Sequence, residues 1–271
     1  MSGELVRQNH LVSRKPPVPE QLLISPRRAL RYFPPETATA DALGIAEADD
    51  RFKYYLKSDA AGKRIRASEW ICSHLAELVH LAAPACAVIE LQNKQRVFGS
   101  RRVAGAGSVI DARDYLMTPS EARDNKIGIK GLGLALSSIY AFDMFIYNVD
   151  RHAGNYLSVP DGEIIRLYAF DFSRALFYNW PLIGFPCPDT TTRETFTYLR
   201  NVHGFYLEEA ENTLDKLGII DTRLIEDIIR RMPEEWLGPD ILPPILEWWS
   251  SSRREERIMS LREGLRDGSL V

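Results

Sequence analysis

Apolar and polar positions divide the chain into a strand-patterned first part and a helix-patterned second part. Trp70, Ile71, Leu75, Leu78 and Val79 recur at three- and four-residue spacing, which predicts an amphipathic helix over 67–81, stopped by Pro84. Before it, residues 22–24 and 52–56 have the short runs of strands, and Pro34-Pro35 and the acidic stretch 47–50 predict loops between them. After it, 86–91 and 95–103 predict two strands around the turn Gln92-Asn93-Lys94, and Gly105 and Gly107 predict a flexible joint. Beyond the joint, Leu132, Leu136, Ile139 and Ile146 share one face of a predicted helix over 132–147. Short strands follow at 156–159 and 164–170 around the turn Pro160-Asp161-Gly162, then a Pro-rich loop at 181–188 and helical patterns near 205–217, 222–231 and 241–266. Strands with one helix, then mostly helices, predict an α+β protein of two lobes. We assign 1–20, with its KPPVPE run, to a flexible basic arm, 21–104 to a small β-rich N-lobe and 105–271 to a larger helical C-lobe.

Composition narrows the class. Of 271 residues, 34 are basic and 37 acidic, so the net charge is −3 and binding to nucleic acid through excess positive charge is not expected. Hydrophobic residues make up 45%, enough for a sizeable core. Cys72, Cys86 and Cys187 form no CxxC pair, which predicts neither a disulfide framework nor a zinc cage. The first residues have no apolar signal region, and the longest apolar stretch, 131–142, falls well short of the roughly 20 residues of a membrane span. The expectation is a cytoplasmic protein.

The chemistry is concentrated in Asn148-Val149-Asp150-Arg151-His152-Ala153-Gly154-Asn155, between the 132–147 helix and the hairpin, and in Asp171-Phe172 where the hairpin ends. The two strands return Asp171 beside the loop that carries Asp150 and Asn155. Phosphoryl transfer needs such a set: one carboxylate to orient the attacking hydroxyl, and an amide oxygen with a second carboxylate to hold magnesium on the nucleotide phosphates. The Asp150-to-Asn155 spacing equals that of the protein-kinase catalytic loop, and Asp171-Phe172 parallels the start of D-F-G with Ser173 in place of glycine. Asp and Asn also cap turns, so either element alone carries little weight. His152 has no second His or Cys at ligand spacing and reads as a brace of the loop. Asp143 shares a helix side with Ile139 and Ile146, and either anchors the loop backbone or contacts water.

A kinase also needs a strand lysine on the phosphates and a helix glutamate paired with it. Lys57, ending FKYYLK on the same strand face as Tyr55, and Glu69, near the start of the next helix, are preferred over Lys53, Lys63 and Glu77 because both adjoin apolar residues. There is no GxGxxG. GAGS at 105–108 suits a joint, and the loop 36–50 would have to cradle phosphates with backbone amides around Gly44.

These segments resemble the HipA-like kinases, in the short single-chain branch. NVDRHAGNYL with AFDFSRAL is similar to that family's catalytic loop and metal-binding segment, VFGSRR (97–102) to its small lobe, and PEEWL (233–237) with the late Arg253, Arg254 and Arg257 to its tail. The resemblance spans roughly 21–262, and the D-R-H-x-x-N string also resembles that of phosphoinositide 3- and 4-kinases. It implies a protein-kinase-like fold using ATP and Mg2+, with Asp150 as catalytic base, Asn155 and Asp171 as metal ligands, Lys57 on the ATP phosphates and Glu69 positioning Lys57. It further implies a Ser/Thr protein acceptor and a toxin-type role with an antitoxin-type partner. A lipid or small-molecule kinase of the same fold, and a pseudokinase that binds nucleotide or a partner without turnover, are the alternatives.

Overall fold

In the computed structural model, which describes residues 25–35, 42–60, 62–119, 131–161 and 164–271, five strands near the N-terminus close into a small barrel. They are β1 (Arg27–Phe33), β2 (Ala42–Ala48), β3 (Lys53–Lys57), β4 (Cys86–Glu90) and β5 (Arg96–Arg101). Their order is β1-β2-β3-β5-β4, antiparallel except where β1 closes on β4. Strand alternation aims Tyr54 and Leu56 of β3 inward, where they meet Ala46, Ala48, Ile89 and Val97, and leaves Tyr55 and Lys57 on the outer face. The interior admits no side chain at position 99: a Cβ there would lie 2.5 Å from Ile89 Cγ1. Gly99→Ala should therefore overpack the barrel and destabilise the protein by about 1–3 kcal/mol, read as a lowered thermal midpoint.

Helix α1 (Ile65–Leu78) lies against the outer barrel face, with Trp70, Ile71 and Leu75 in one cluster with Val88 and Phe98. It ends before Pro84 because His80 adopts φ 64° and Leu81 N–H bonds back to Ala76 O at 2.9 Å, a left-handed stop. The same cluster runs on into the helical part: α2 (Val109–Met117), α3 (Leu132–Phe145), the hairpin β6 (Tyr156–Asp161) and β7 (Ile164–Ala169), then α4 (Thr191–His203), α5 (Leu207–Ile219), α6 (Thr222–Arg230), α7 (Leu242–Ser250) and α8 (Ser252–Arg266). Helix α3 is buried nearly all round, with α4, α5 and α8 packed about it. Among the described residues no helix is long and apolar enough to cross a membrane.

Polar bonds fasten α1 to this helical part. Trp70 Nε1 donates to Ile228 O at 2.8 Å, Ser68 Oγ donates to Ala175 O at 3.0 Å and accepts from Phe177 N–H at 3.2 Å. At the start of α1, Arg64 Nε donates to Leu237 O at 2.7 Å, while Trp236 Nε1 ties the helical part to the barrel at Arg96 O of β5, 3.2 Å away.

Several expectations change. The stretch 42–48, expected within a loop, is strand β2, and Arg27–Phe33 is a strand that the sequence pattern did not show. Gly44 sits in β2 at φ 113°, where a Cβ would lie 2.2 Å from Phe33 O; it accommodates a register shift between β2 and β3. The expected strand at 22–24, the arm 1–20 and residues 36–41 of the expected 36–50 loop lie outside the described residues. Helices α2 and α4 were not anticipated, and the single pattern over 241–266 divides at Ser251, whose side chain caps α8. The GAGS run leads into α2: Gly107 N–H donates to Ser158 O at 2.9 Å, and Ser108 forms a capping box with Asp111.

Candidate functional site

The loop after α3 is held by one buried ion pair. Asp143, on the last turn of α3, is fully buried, and Arg151 is 2% exposed. Arg151 grips both carboxylate oxygens, Nε to Oδ2 at 2.8 Å and Nη2 to Oδ1 at 3.0 Å. Its Nη1 donates to Asn155 O at 3.0 Å and to Phe170 O, so one guanidinium ties the helix, the loop and the end of β7 together. The rings of Tyr156 and Phe172 lie 5.5 and 5.0 Å from its Cζ. Asn148 completes the brace: Nδ2 donates to Asp143 Oδ1 at 2.8 Å and Oδ1 accepts Asp150 N–H at 3.2 Å. His152 Nδ1 accepts Gly154 N–H at 3.0 Å, shaping the loop from its exposed side.

Asp150 and Asn155 are joined directly: Asn155 Nδ2 donates to the Asp150 carbonyl at 2.8 Å, which leaves Oδ1 as the amide atom offered to other contacts. The hairpin then returns the chain, with Phe170 N–H bonded to Asn155 O at 3.2 Å, so Asp171 follows one residue after a fixed contact with the loop. Asp171 itself adopts φ 62°, an uncommon conformation that Asp tolerates better than most residues.

Lys57 bridges the two halves of the site. Its ammonium lies 2.8 Å from Glu69 Oε1 and also bonds Asp171 Oδ1. Thus β3, α1 and the segment after β7 meet at one charge. Ser173 adds a 2.7 Å hydroxyl bond to the same Asp171 Oδ1. Burial pushes the Glu69 carboxyl up to about 7; Lys57 opposes that rise and Asp171 adds to it. Burial would raise the Asp171 carboxyl as well, but Lys57 and the Ser173 hydroxyl and N–H outweigh it and hold it well below the usual carboxylate range. The competing residues take no part in this charge cluster: Lys53 lies against the Phe33 ring, Lys63 against Tyr178, and Glu77 beside His74.

Among the described residues no group of three or more His, Cys, Asp or Glu could hold a metal alone. One carboxylate and one amide oxygen would instead be a donor set suited to magnesium that is also held by phosphates and water. The bonds to Asp171 fall on Oδ1, so Oδ2 and Asn155 Oδ1 are the atoms that would take the cation.

Arg151 and Asn148 were given no role from the sequence, and Ser173 entered only as the residue in place of the D-F-G glycine. A signal for Arg151 was present: a carboxylate on the apolar side of α3 requires a cation, and Arg151 is the first Lys or Arg after it.

Residues 44–175 match the family model described as HipA-like kinase. No curated protein matches the chain in sequence. Among solved structures, the proinflammatory kinase CtkA of Helicobacter pylori aligns at 13% identity and TM-score 0.49, over 88% of this chain and 93% of that one. HipA of Shewanella oneidensis, in complex with HipB and its operator DNA, aligns at 11% identity and TM-score 0.43, over 88% of this chain and 65% of that one. The family match runs from β2 to the residues just after Asp171 and includes Lys57, Glu69, Asp150 and Asn155. The resemblance read from the sequence therefore holds, and the stretch from Gly44 to Ala175 carries the pattern of the HipA-like kinases.

Proposed function

We propose that the chain is an ATP- and Mg2+-dependent kinase that transfers a γ-phosphoryl group to a serine or threonine hydroxyl of a protein. The observation that carries this reading is the Lys57 ammonium shared between Glu69 and Asp171, with Asp150 and Asn155 on the adjoining loop. Lys57 would contact the phosphates and Glu69 would orient it. Asp150 would receive the acceptor hydroxyl's proton, and Asn155 and Asp171 would hold magnesium, which supplies charge neutralisation at the phosphates. The barrel and helical parts would form two lobes, 21–104 and 105–271, around a nucleotide cleft. The family resemblance adds a cytoplasmic location and an antitoxin-type protein partner, with no direct nucleic-acid contact by this chain.

Incubation with γ-labelled ATP, Mg2+ and a cell-protein extract tests the reading. Label should enter protein with the native chain and be lost with Asp150→Asn or when EDTA removes the metal. Equal labelling by Asp150→Asn would refute it.

The buried glutamate gives a pH signature. Below about pH 7 Glu69 takes up a proton and loses its charge pairing with Lys57; above it the pair is complete. The kcat/KM should rise as pH passes through about 7, and Glu69→Gln should flatten that limb at a lower level.

A further inference from the structure

Two cations stand beside the site without a carboxylate. Lys63, from the segment before α1, lies 4.5 Å from the centre of the Tyr178 ring and donates to Tyr178 O at 3.3 Å. Arg174, three residues after Asp171, lies 5.1 Å from the same ring centre and donates to Tyr178 Oη at 2.9 Å. Both are exposed, and among the described residues neither forms an ion pair with Asp or Glu. The shared ring holds the two charges within about 10 Å of each other, close to one screening length, so their positive potentials add around it.

The segment that carries Arg174 and Tyr178 adjoins the loop of Asp150. Arg174 O accepts the N–H of Val149 at 3.4 Å, and Asn179 Nδ2 donates to Tyr147 O at 3.0 Å, so the short helical turn Leu176–Tyr178 is sealed to the residues that precede Asp150. Neighbouring cations repel, and one anion within reach of both offsets that repulsion by its attraction to each. The tyrosine ring fixes both side chains beforehand, so little of their freedom remains to be lost on binding.

We propose that Lys63 and Arg174 form a recognition lip for the acceptor, selecting a protein segment in which the accepting hydroxyl is flanked by an aspartate or glutamate. This rests on the kinase reading above and names its substrate class. Lys63 comes from the segment between β3 and α1 and Arg174 from the segment after β7, so an acidic acceptor touches both segments when it binds.

The test is an array of serine-centred octapeptides in which each flanking position is fixed in turn as Glu, Gln, Lys or Ala. Peptide retention and phosphate transfer from Mg2+-ATP are read separately. The native chain should retain Glu-fixed peptides at least about five-fold over Gln-fixed ones at one or more positions, within the range expected for a paired exposed charge. A Lys63→Gln, Arg174→Gln double variant should lose that preference while keeping its unfolding temperature, since both sites are on the surface. No Glu preference, or a preference that survives in the double variant, would overturn the lip. Glu-selective retention without transfer to any peptide or protein would instead overturn the kinase reading and leave the lip standing.

Discussion

Asp171→Asn should abolish phosphoryl transfer while leaving the fold intact. The substitution keeps the shape of the side chain and removes its charge, which does two things at once. The cation loses its only carboxylate ligand in the proposed donor set, and Lys57 loses one of its two anionic partners. Lys57 keeps Glu69 at 2.8 Å, so no unpaired ammonium remains in the site and the unfolding midpoint should move little. Loss of a group that stabilises transition-state charge costs on the order of 10²–10³ in rate, and loss of the metal site with it deepens the effect. Single-turnover transfer from labelled ATP measures the loss. Thermal shift gives a second reading: Mg2+-ATP should raise the midpoint of the native chain more than ATP alone, and this increment should vanish in the variant. Transfer at more than about a tenth of the native rate would place the metal elsewhere.

The second large effect concerns stability. Asp143→Ala leaves the Arg151 guanidinium buried without its carboxylate and deprives Asn148 Nδ2 of its acceptor. Breaking a buried pair by removing one partner costs about 3–5 kcal/mol, which should appear as a lowered urea midpoint with an unchanged slope. Replacing both members, as in Asp143→Leu with Arg151→Met, removes the stranded charge and should recover part of that loss. It should not recover activity, because the carbonyls of Asn155 and Phe170 lose the Arg151 bonds that hold them together. A double variant no more stable than Asp143→Ala would show that those carbonyl bonds, and not the ion pair, dominate.

The parts of the fold read correctly from the sequence are those with dense, regular apolar patterns. Helices α1 and α3, the β4–β5 and β6–β7 hairpins and helices α5 and α6 were all placed within a few residues. Strand β1 was missed because it is mostly exposed and RRALRYF offers no alternation. Strand β2 was missed because its inward residues are alanines, which are weak strand formers, and because Gly44 breaks the register. In α4 the buried positions Thr192, Phe196 and Leu199 do follow helical spacing, but Thr192 does not look apolar and the polar residues around it mask the pattern.

At the site, local order along the chain was enough to nominate Lys57, Glu69, Asp150, Asn155 and Asp171. The bonds that set their geometry cross long distances in sequence and have no periodic trace. Lys57 reaches Asp171 across 114 positions, and Ser68 reaches Ala175 across 107.

The attachments of α1 bear on where the molecule can bend. A boundary drawn along the sequence near residue 104 assigns α1 to the barrel. Its Trp70 and Ser68 bonds, together with the grip of Arg64 on Leu237 O, assign it mechanically to the helices. Swinging α1 away with the barrel would strand an indole N–H and a hydroxyl that are buried in this arrangement. In the kinase proposed above, opening a nucleotide cleft would therefore carry the closed barrel as one body over an α1 held by the helices, breaking the bond from Arg66 Nη1 to Arg96 O. Glu69 would then be a fixed post to which the strand lysine returns after each opening. A fragment cut at residue 104 would lose the surface that orders α1 and should fail to fold as a separate unit.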